Sequence, residues 1–275
     1  SIGADFHVET IDMASSADLE AAAKTFIDKF GGCDCMVSGY MPPLHHIKDT
    51  PSTNGELWDL LVYRTARAHF ILFRELGPSL LEAPNPHVLS LIPAPIADGK
   101  WFAPHVAYTM GLFMHGMYTA GEAAEFQNPS EGATIAGNTL WPQVPVYQAH
   151  GEVDKRVSKS QCMKPDIMGD AAVQILTRPS REFTLNYCLD AHVLKAAGVS
   201  DLKPYQQDPA VPPTQLAETF FTRRLSDYRK TNNQYEKRVS RDDEDPSVPG
   251  FTDRKLVIPD KIEELSLLWE EMNWQ

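Results

Sequence analysis

The sequence has little of three features that would place it in a specialised class of protein. Its four cysteines, Cys33, Cys35, Cys162 and Cys188, do not form a dense disulfide pattern, which favours a reducing compartment. No uninterrupted apolar run approaches the roughly 20 residues that cross a bilayer. Lys and Arg number 25 against 37 Asp and Glu. The resulting formal net charge of -12 argues against broad nucleic-acid binding.

The overall composition is typical of a globular domain. Hydrophobic residues make up 43% of the 275 residues, and the mean hydropathy is -0.31, as in typical globular proteins. The length suits one α/β domain with an extension. Because the chain begins with Ser1 rather than Met, we expect a processed or trimmed N-terminus, consistent with a removed targeting peptide or with a start upstream.

The N-terminal part alternates between strand and helix patterns. The segment FHVETI over 6–11 alternates apolar and polar residues and predicts a strand. A helix follows, with Ser15 or Ser16 as its cap and Gly31 at its end, and then a short buried strand over 33–38. This strand–helix–strand order predicts a parallel sheet with a right-handed crossover.

The same alternation continues to about residue 189. The stretch 99–126 predicts a buried helix entered from a loop, with Tyr108 near its start. The other predicted elements are helices over 54–66, 68–81 and 165–177, and strands over 87–92, 134–140 and 183–189. An alternating pattern of this kind indicates the α/β class.

The helix that contains Tyr108 also carries a resemblance to a known family. The stretches that match are WFAPHVAYT, KFGGCD, PHVLSL, CMKPDIMGDAA and SREFTLNYCLD. Over approximately residues 6–209 the chain resembles the short-chain dehydrogenases, and more narrowly their hydroxysteroid dehydrogenase-like branch. The resemblance implies a Rossmann-like parallel sheet flanked by helices over 1–204 and an extended, partly helical tail over 205–275.

The resemblance also implies an incomplete cofactor site. Family members place a glycine-rich turn after their first strand, where backbone N–H groups approach the cofactor pyrophosphate, and this sequence has no such turn. The strand over 6–11 resembles the family's third strand, so the first two family strands are absent. Asp12 matches an acidic residue that contacts the adenine, but alone it cannot hold a dinucleotide. We therefore expect no bound cofactor.

The catalytic residues of the family are replaced as well. Ile92 stands at the position of the Ser that polarises the substrate carbonyl, and Thr65 at that of the Asn in the proton relay. Leu112 stands where a Lys should follow Tyr108 by four residues. Without that ammonium, and among Leu and Met side chains, we expect the pKa of Tyr108 to rise above its usual value of about 10. The resemblance thus implies a packed tyrosine and an inactive site.

Other candidate sites are weaker. Cys33 and Cys35, followed by His45 and His46, are zinc-ligand types whose spacing matches no standard cluster. We therefore expect two core cysteines, a surface histidine pair and no metal. No Ser or Cys nucleophile is paired with the remaining histidines considered, which we expect at the surface or in a groove: His105, His115 and His150.

The missing strands predict an open sheet edge. The strand over 6–11 either slides beside the strand over 33–38 or pairs with another chain, because an exposed edge with apolar side chains invites pairing. Phe6 and Val8 are the candidate contacts.

The tail carries two further candidate contacts. A basic stretch over 223–241, which includes Arg223 and Arg224, is a solvated helix face or a site for an acidic partner, RNA or anionic lipid. The segment 260–274 predicts an amphipathic helix that docks onto its own domain or onto a neighbour. Its apolar stripe includes Leu265, Leu268 and Trp269.

Three functional hypotheses follow. The leading one is a non-catalytic family member retained as an accessory subunit of a larger assembly, such as a respiratory complex, ATP synthase or mitochondrial ribosome. The mitochondrion is its preferred compartment, with the cytoplasm as the alternative. The second hypothesis is a working NADP-linked oxidoreductase whose cofactor-binding segment lies outside this sequence. The third is a carrier of lipid or acyl ligands in the vacated substrate groove.

Overall fold

The computed structural model describes residues 5–95, 105–126, 135–147, 157–217, 219 and 221–222. Several predictions fall on residues outside these ranges: His150, the basic stretch over 223–241 with Arg223 and Arg224, and the stripe of Leu265, Leu268 and Trp269. None of the described helices combines the length and the hydropathy that a membrane span requires.

Six α-helices and four strands are present in the described ranges. In chain order they are α1 (Ser16–Phe30), β1 (Cys35–Ser38), α2 (Gly55–Val62), α3 (Ala68–Glu82), β2 (His87–Ser90), α4 (Val106–Glu125), β3 (Ala136–Trp141), α5 (Asp166–Leu176), β4 (Tyr187–Leu189) and α6 (Asp190–Ala196). A π-helix, Tyr63–Arg67, joins α2 directly to α3. The short helices Leu44–His46, Thr50–Ser52, Lys159–Gln161, Lys203–Tyr205 and Pro213–Gln215 are of the 3₁₀ type. The predicted α/β alternation is confirmed.

The four strands form one parallel sheet in the order β1-β2-β3-β4. Met36 lies opposite Val88, and Val88 lies opposite Gly137. At the far edge Leu140 lies opposite Cys188. Because consecutive parallel strands are neighbours, each connection must cross over one face of the sheet, and the helices provide those crossovers.

Helices cover the sheet on both faces. Val88 of β2 belongs to a buried cluster with Ala23 of α1 and Leu80 of α3. The adjacent Leu89 belongs to another cluster, with Ile167 of α5 and residues of β4 and α6. Successive side chains of a strand point to opposite faces. The fold is therefore a three-layer, Rossmann-like arrangement, as the sequence predicted.

The local signals at α1 are confirmed. The Ser15 side chain accepts a hydrogen bond from the backbone N–H of Asp18, which satisfies a donor that would otherwise have no partner in the first turn. Gly31 ends the helix with φ of 80°, a left-handed conformation that glycine adopts without steric cost. Both features can be read from neighbouring residues alone.

The predicted strand over 6–11 is wrong. These residues have no regular secondary structure, and the side chains of Phe6 and Val8 are 81% and 78% exposed. A strand gains its hydrogen bonds only from a neighbour, and the segment does not slide beside β1, which is an edge of the described sheet. The alternation of apolar and polar residues is compatible with a strand, but it does not show whether a neighbouring strand is available for pairing.

Several burial predictions also need correction. The strand β1 is only partly buried, and its residue Val37 is 53% exposed. Cys35 is exposed, so only Cys33 of that pair is a core residue. His105 and His115 are buried rather than at the surface.

Candidate functional site

Tyr108 lies in the first turn of α4, inside an apolar cluster. His105 immediately precedes this helix, and its ring nitrogen Nδ1 lies 2.9 Å from the Thr109 hydroxyl. The Tyr108 side chain is only 2% exposed. The buried residues around it form what we call the Tyr108 cluster: Leu61, Ile92, Ala107, Leu112, Phe113, Trp141 and Phe221.

The family's charged and hydroxyl-bearing positions are occupied by apolar side chains. Leu112 lies one turn after Tyr108 on α4, and Ile92 follows β2; both are fully buried. Neither side chain can donate a hydrogen bond to a carbonyl or supply a positive charge. The structure thus brings these predicted positions together with Tyr108, in the arrangement that the resemblance implied.

Thr65 is near the same cluster but is engaged elsewhere. Its hydroxyl lies 2.5 Å from the carbonyl oxygen of Leu61 and 3.3 Å from that of Gly111. A hydroxyl has a single proton to donate, and both nearby groups are acceptors. The Thr65 hydroxyl therefore donates its proton to a backbone carbonyl oxygen and links the π-helix to α2 and α4.

Phe221 closes the Tyr108 cluster from the C-terminal segment. Its ring centroid lies 5.4 Å from that of Phe113, 6.2 Å from that of His105 and 6.3 Å from that of Trp141. Its backbone has φ of 62°, a left-handed conformation that is unusual for a bulky residue and that persists only where the surroundings enforce it. Sequence reasoning missed this contact, since residue 221 lies over 100 positions after Tyr108.

The electrostatics of the cluster oppose proton transfer. Burial raises the pKa of the Tyr108 hydroxyl well above its usual value of 10.0, because the phenolate would lose its hydration in an apolar site. This is the direction that the sequence predicted. A tyrosine in this environment holds its proton throughout the neutral pH range.

The residues present do not fit a nicotinamide dinucleotide. Asp12, the position matched to the adenine contact, uses its carboxylate to accept the N–H of Ala14 and lies 3.7 Å from the Arg64 guanidinium. Leu112 cannot hold a ribose hydroxyl. Among the described residues, no glycine-rich turn follows a strand to bring backbone N–H groups to a pyrophosphate.

A buried polar network lies between α3 and α4. His69 Nε2 is 2.8 Å from a carboxyl oxygen of Glu122, and the His69 and His115 rings have centroids 4.4 Å apart. The hydroxyls of Ser90 and Thr119 are 2.7 Å apart, and the Thr119 hydroxyl lies 3.5 Å from His69 Nε2. The sequence did not reveal this network, because its members come from three elements.

Burial keeps this network neutral. It lowers the pKa of His69 to about 3 and raises that of Glu122 to about 8. It also lowers the pKa of His115 to about 2, with a contribution from His69. A carboxylic acid that donates to a neutral imidazole avoids placing two charges in the interior. We therefore treat the His69–Glu122 contact as a neutral hydrogen bond rather than an ion pair.

The cysteines do not assemble a metal site. The buried Cys33 thiol donates to the carbonyl oxygen of Cys35, whose own thiol is exposed. Across the described ranges, no group of three or more His, Cys, Asp or Glu side chains is placed to hold a metal ion.

Exposed aromatic and apolar side chains are present on the helical layer. Phe70 of α3 and Tyr118 of α4 are about 40% exposed, and their ring centroids are 5.7 Å apart. Met117, next to Tyr118, is exposed by more than half. We call Phe70, Met117 and Tyr118 the α3–α4 apolar surface. The sequence did not reveal this surface, because a helical pattern alone does not show which face a neighbouring element covers.

Comparison with known proteins gives the family. No protein-family profile matches the chain. Hydroxysteroid dehydrogenase-like protein 2 of Homo sapiens is 30% identical over 254 residues, which is 91% of this chain and 56% of that protein. The Danio rerio protein of the same name is 30% identical over 213 residues, or 77% of this chain and 48% of that protein. The chain thus spans about half the length of the curated relatives it matches.

Solved structures agree with this relationship. A protein from Xanthomonas campestris assigned as a dehydrogenase is 32% identical, with a TM-score of 0.67 over 78% of this chain and 74% of that one. A short-chain dehydrogenase from Mycobacterium thermoresistibile is 26% identical, with a TM-score of 0.66 over 77% of this chain and 72% of that one. With its parallel sheet and its Tyr108 helix, the chain belongs to the short-chain dehydrogenase superfamily and is related to the hydroxysteroid dehydrogenase-like proteins.

Proposed function

We propose that this chain is a catalytically inactive short-chain dehydrogenase homologue that serves as an accessory subunit of a larger protein assembly. The observation that carries the proposal is the Tyr108 cluster, in which Leu112 and Ile92 are fully buried beside the tyrosine. Hydride transfer to a carbonyl needs a proton donor of suitable pKa, and here burial raises the pKa of Tyr108 with no cation among the cluster residues to lower it.

Access to the site supports the same proposal. Phe221 packs against Phe113 and Trp141 within the Tyr108 cluster, and Phe221 itself is 4% exposed. A substrate carbonyl would have to displace this ring before it could come within hydrogen-bonding distance of the tyrosine.

Exposed apolar groups favour a role in assembly. The α3–α4 apolar surface presents aromatic and methionine side chains, which are typical of protein interfaces. The strand β1, which contains the exposed Val37, is an edge of the described sheet, and another strand could pair with its outer backbone groups. Phe6 and Val8 add exposed apolar groups near the N-terminus. We propose the mitochondrion as the compartment, by analogy with the targeting of related proteins.

The alternative is an active NADP-dependent oxidoreductase whose cofactor-binding segment lies outside this sequence. It is favoured by the match to dehydrogenases and by the fact that the chain spans only about half of its curated relatives. Under this alternative Tyr108 has to act without an adjacent ammonium.

Cofactor binding and turnover separate the two hypotheses. The natural full-length protein is titrated with NADPH, followed by fluorescence, and is then incubated with NADPH and a panel of ketones. We expect no saturable micromolar binding and no NADPH oxidation. Oxidation that disappears in a Tyr108→Phe variant would establish the alternative, since that change removes only the phenolic hydroxyl.

The assembly role has its own test. The natural protein is isolated from fractionated cells under native conditions, and its particle size is compared with that of the variant Phe70→Glu, which places a charge on the α3–α4 apolar surface. The variant is expected to leave the particle. Val173→Glu is the control, because Val173 is an apolar residue on α5 that is more exposed than Phe70 and lies outside the α3–α4 apolar surface. If the wild-type protein migrates as a free monomer, the accessory-subunit proposal is wrong.

A further inference from the structure

A cavity opens at the carboxyl ends of β3 and β4, beside the Tyr108 cluster but lined by other residues. Its walls come from the loop after β3, from α5 and α6, and from the segment over 200–217 that returns across them. Its volume is about 560 Å³, within the range that small-molecule sites in proteins occupy. In parallel α/β sheets, the carboxyl ends of the strands are where ligands bind.

The inner wall contains two buried acceptor atoms. Asp190 is fully buried, and its Oδ1 accepts the backbone N–H groups of Gln143 and Ala191 at 2.9 and 2.6 Å. Its Oδ2 and the Oε1 of Gln206, a residue only 2% exposed, have no hydrogen-bond partner among the described residues. Both residues line the cavity. Since buried acceptors without donors are costly, they indicate that a donor outside the described residues completes the site.

The rest of the cavity divides into an apolar middle and a charged rim. Met163, Ile167 and Leu216 supply the apolar wall. At the rim, the exposed Lys195 and Lys203 form no ion pair with any residue in the described part of the chain. Asp201 also lies at the rim, where its Oδ1 accepts the backbone N–H of Lys203.

We propose that this cavity binds a small amphipathic acid that carries a hydroxyl group. The hydroxyl donates to Asp190 Oδ2 or Gln206 Oε1 at the inner wall, the apolar body lies against Met163, Ile167 and Leu216, and the acidic group lies at the rim near Lys195 and Lys203. This inference does not rest on the proposed function, because none of the residues that line the cavity belongs to the Tyr108 cluster.

Three probes of equal chain length separate the contribution of the hydroxyl group to binding from that of the acidic group. Binding of ω-hydroxydecanoate, decanoate and decanol to the full chain is measured by isothermal titration calorimetry below the concentrations at which the probes aggregate. A hydrogen bond to a charged acceptor contributes about 1.5 kcal/mol or more, so the hydroxy acid should bind about tenfold more tightly than decanoate. Decanol should bind more weakly than the hydroxy acid, because it cannot pair with either ammonium.

Variants locate the binding. Leu216→Trp fills the apolar middle and should abolish binding of the hydroxy acid, whereas Val173→Trp, on an exposed face of α5, should leave it unchanged. The double variant Lys195→Gln and Lys203→Gln lies at exposed positions, so it should fold normally and lose the preference for the acid over decanol. The proposal is overturned if no probe binds, if the three probes bind equally, or if Leu216→Trp has no effect.

Discussion

Replacing Leu112 by lysine restores the family residue at the position where it would act. In this chain, however, the change places an amine in an apolar cluster, since Leu112 is fully buried among Tyr108, Ile92 and their neighbours. The described residues of the cluster offer no carboxylate to pair with it. We therefore expect the variant to be strongly destabilised rather than reactivated.

The magnitude follows from the proton that the amine must lose. A buried amine without a partner releases its proton instead of carrying the charge inside. For a lysine with an ordinary pKa of about 10.4, this release costs about 5 kcal/mol at pH 7 and about 2 kcal/mol at pH 9. Because the folded state depresses the pKa, the lost stability should return as the pH rises towards 10.

Chemical denaturation at the two pH values tests this expectation. The difference in free energy of unfolding between wild type and Leu112→Lys should shrink by about 3 kcal/mol from pH 7 to pH 9. Leu112→Met keeps the volume and should cost less than about 1.5 kcal/mol at both pH values. Ala124→Lys, at an exposed position on the same helix, should show no such pH dependence. A Leu112→Lys variant as stable as the wild type at pH 7 would mean that the site is hydrated, which would contradict an inactive, apolar cluster around Tyr108.

Two further predictions concern packing and acid stability. Gly137→Ala should destabilise the protein by about 2 kcal/mol or more in urea denaturation, because the added Cβ would lie 2.5 Å from a backbone oxygen of α4; Gly169→Ala, with open space around it, should stabilise it slightly. Lowering the pH from 6.5 to 4.5 should reduce the free energy of unfolding. Burial lowers the pKa values of His69 and His115, so in this range the unfolded chain binds up to two more protons at these histidines than the folded chain does, which favours unfolding. The raised pKa of Glu122 has the opposite effect, because the folded chain binds up to one more proton at that carboxyl group than the unfolded chain does. Glu122→Gln should steepen this dependence, and a denaturation midpoint that does not change over that range would contradict the neutral network.

The sequence alone determined the parts of the fold that depend on near neighbours in the chain. The cap at Ser15, the stop at Gly31 and the long helix containing Tyr108 are set by contacts within one or two turns. Leu112, at the position where the resemblance implies a catalytic lysine, was equally visible, because that position follows Tyr108 by four residues in the sequence.

Only the tertiary structure decided what depends on residues distant in sequence. Phe6 and Val8 had the pattern of a strand but have no strand to pair with, and a strand cannot form alone. Phe221 closes the Tyr108 cluster from more than 100 residues away. The neutral pair of His69 and Glu122, from two different helices, likewise exists only because packing removes both from water. Periodicity and spacing report local geometry, whereas burial and pairing are properties of the folded chain.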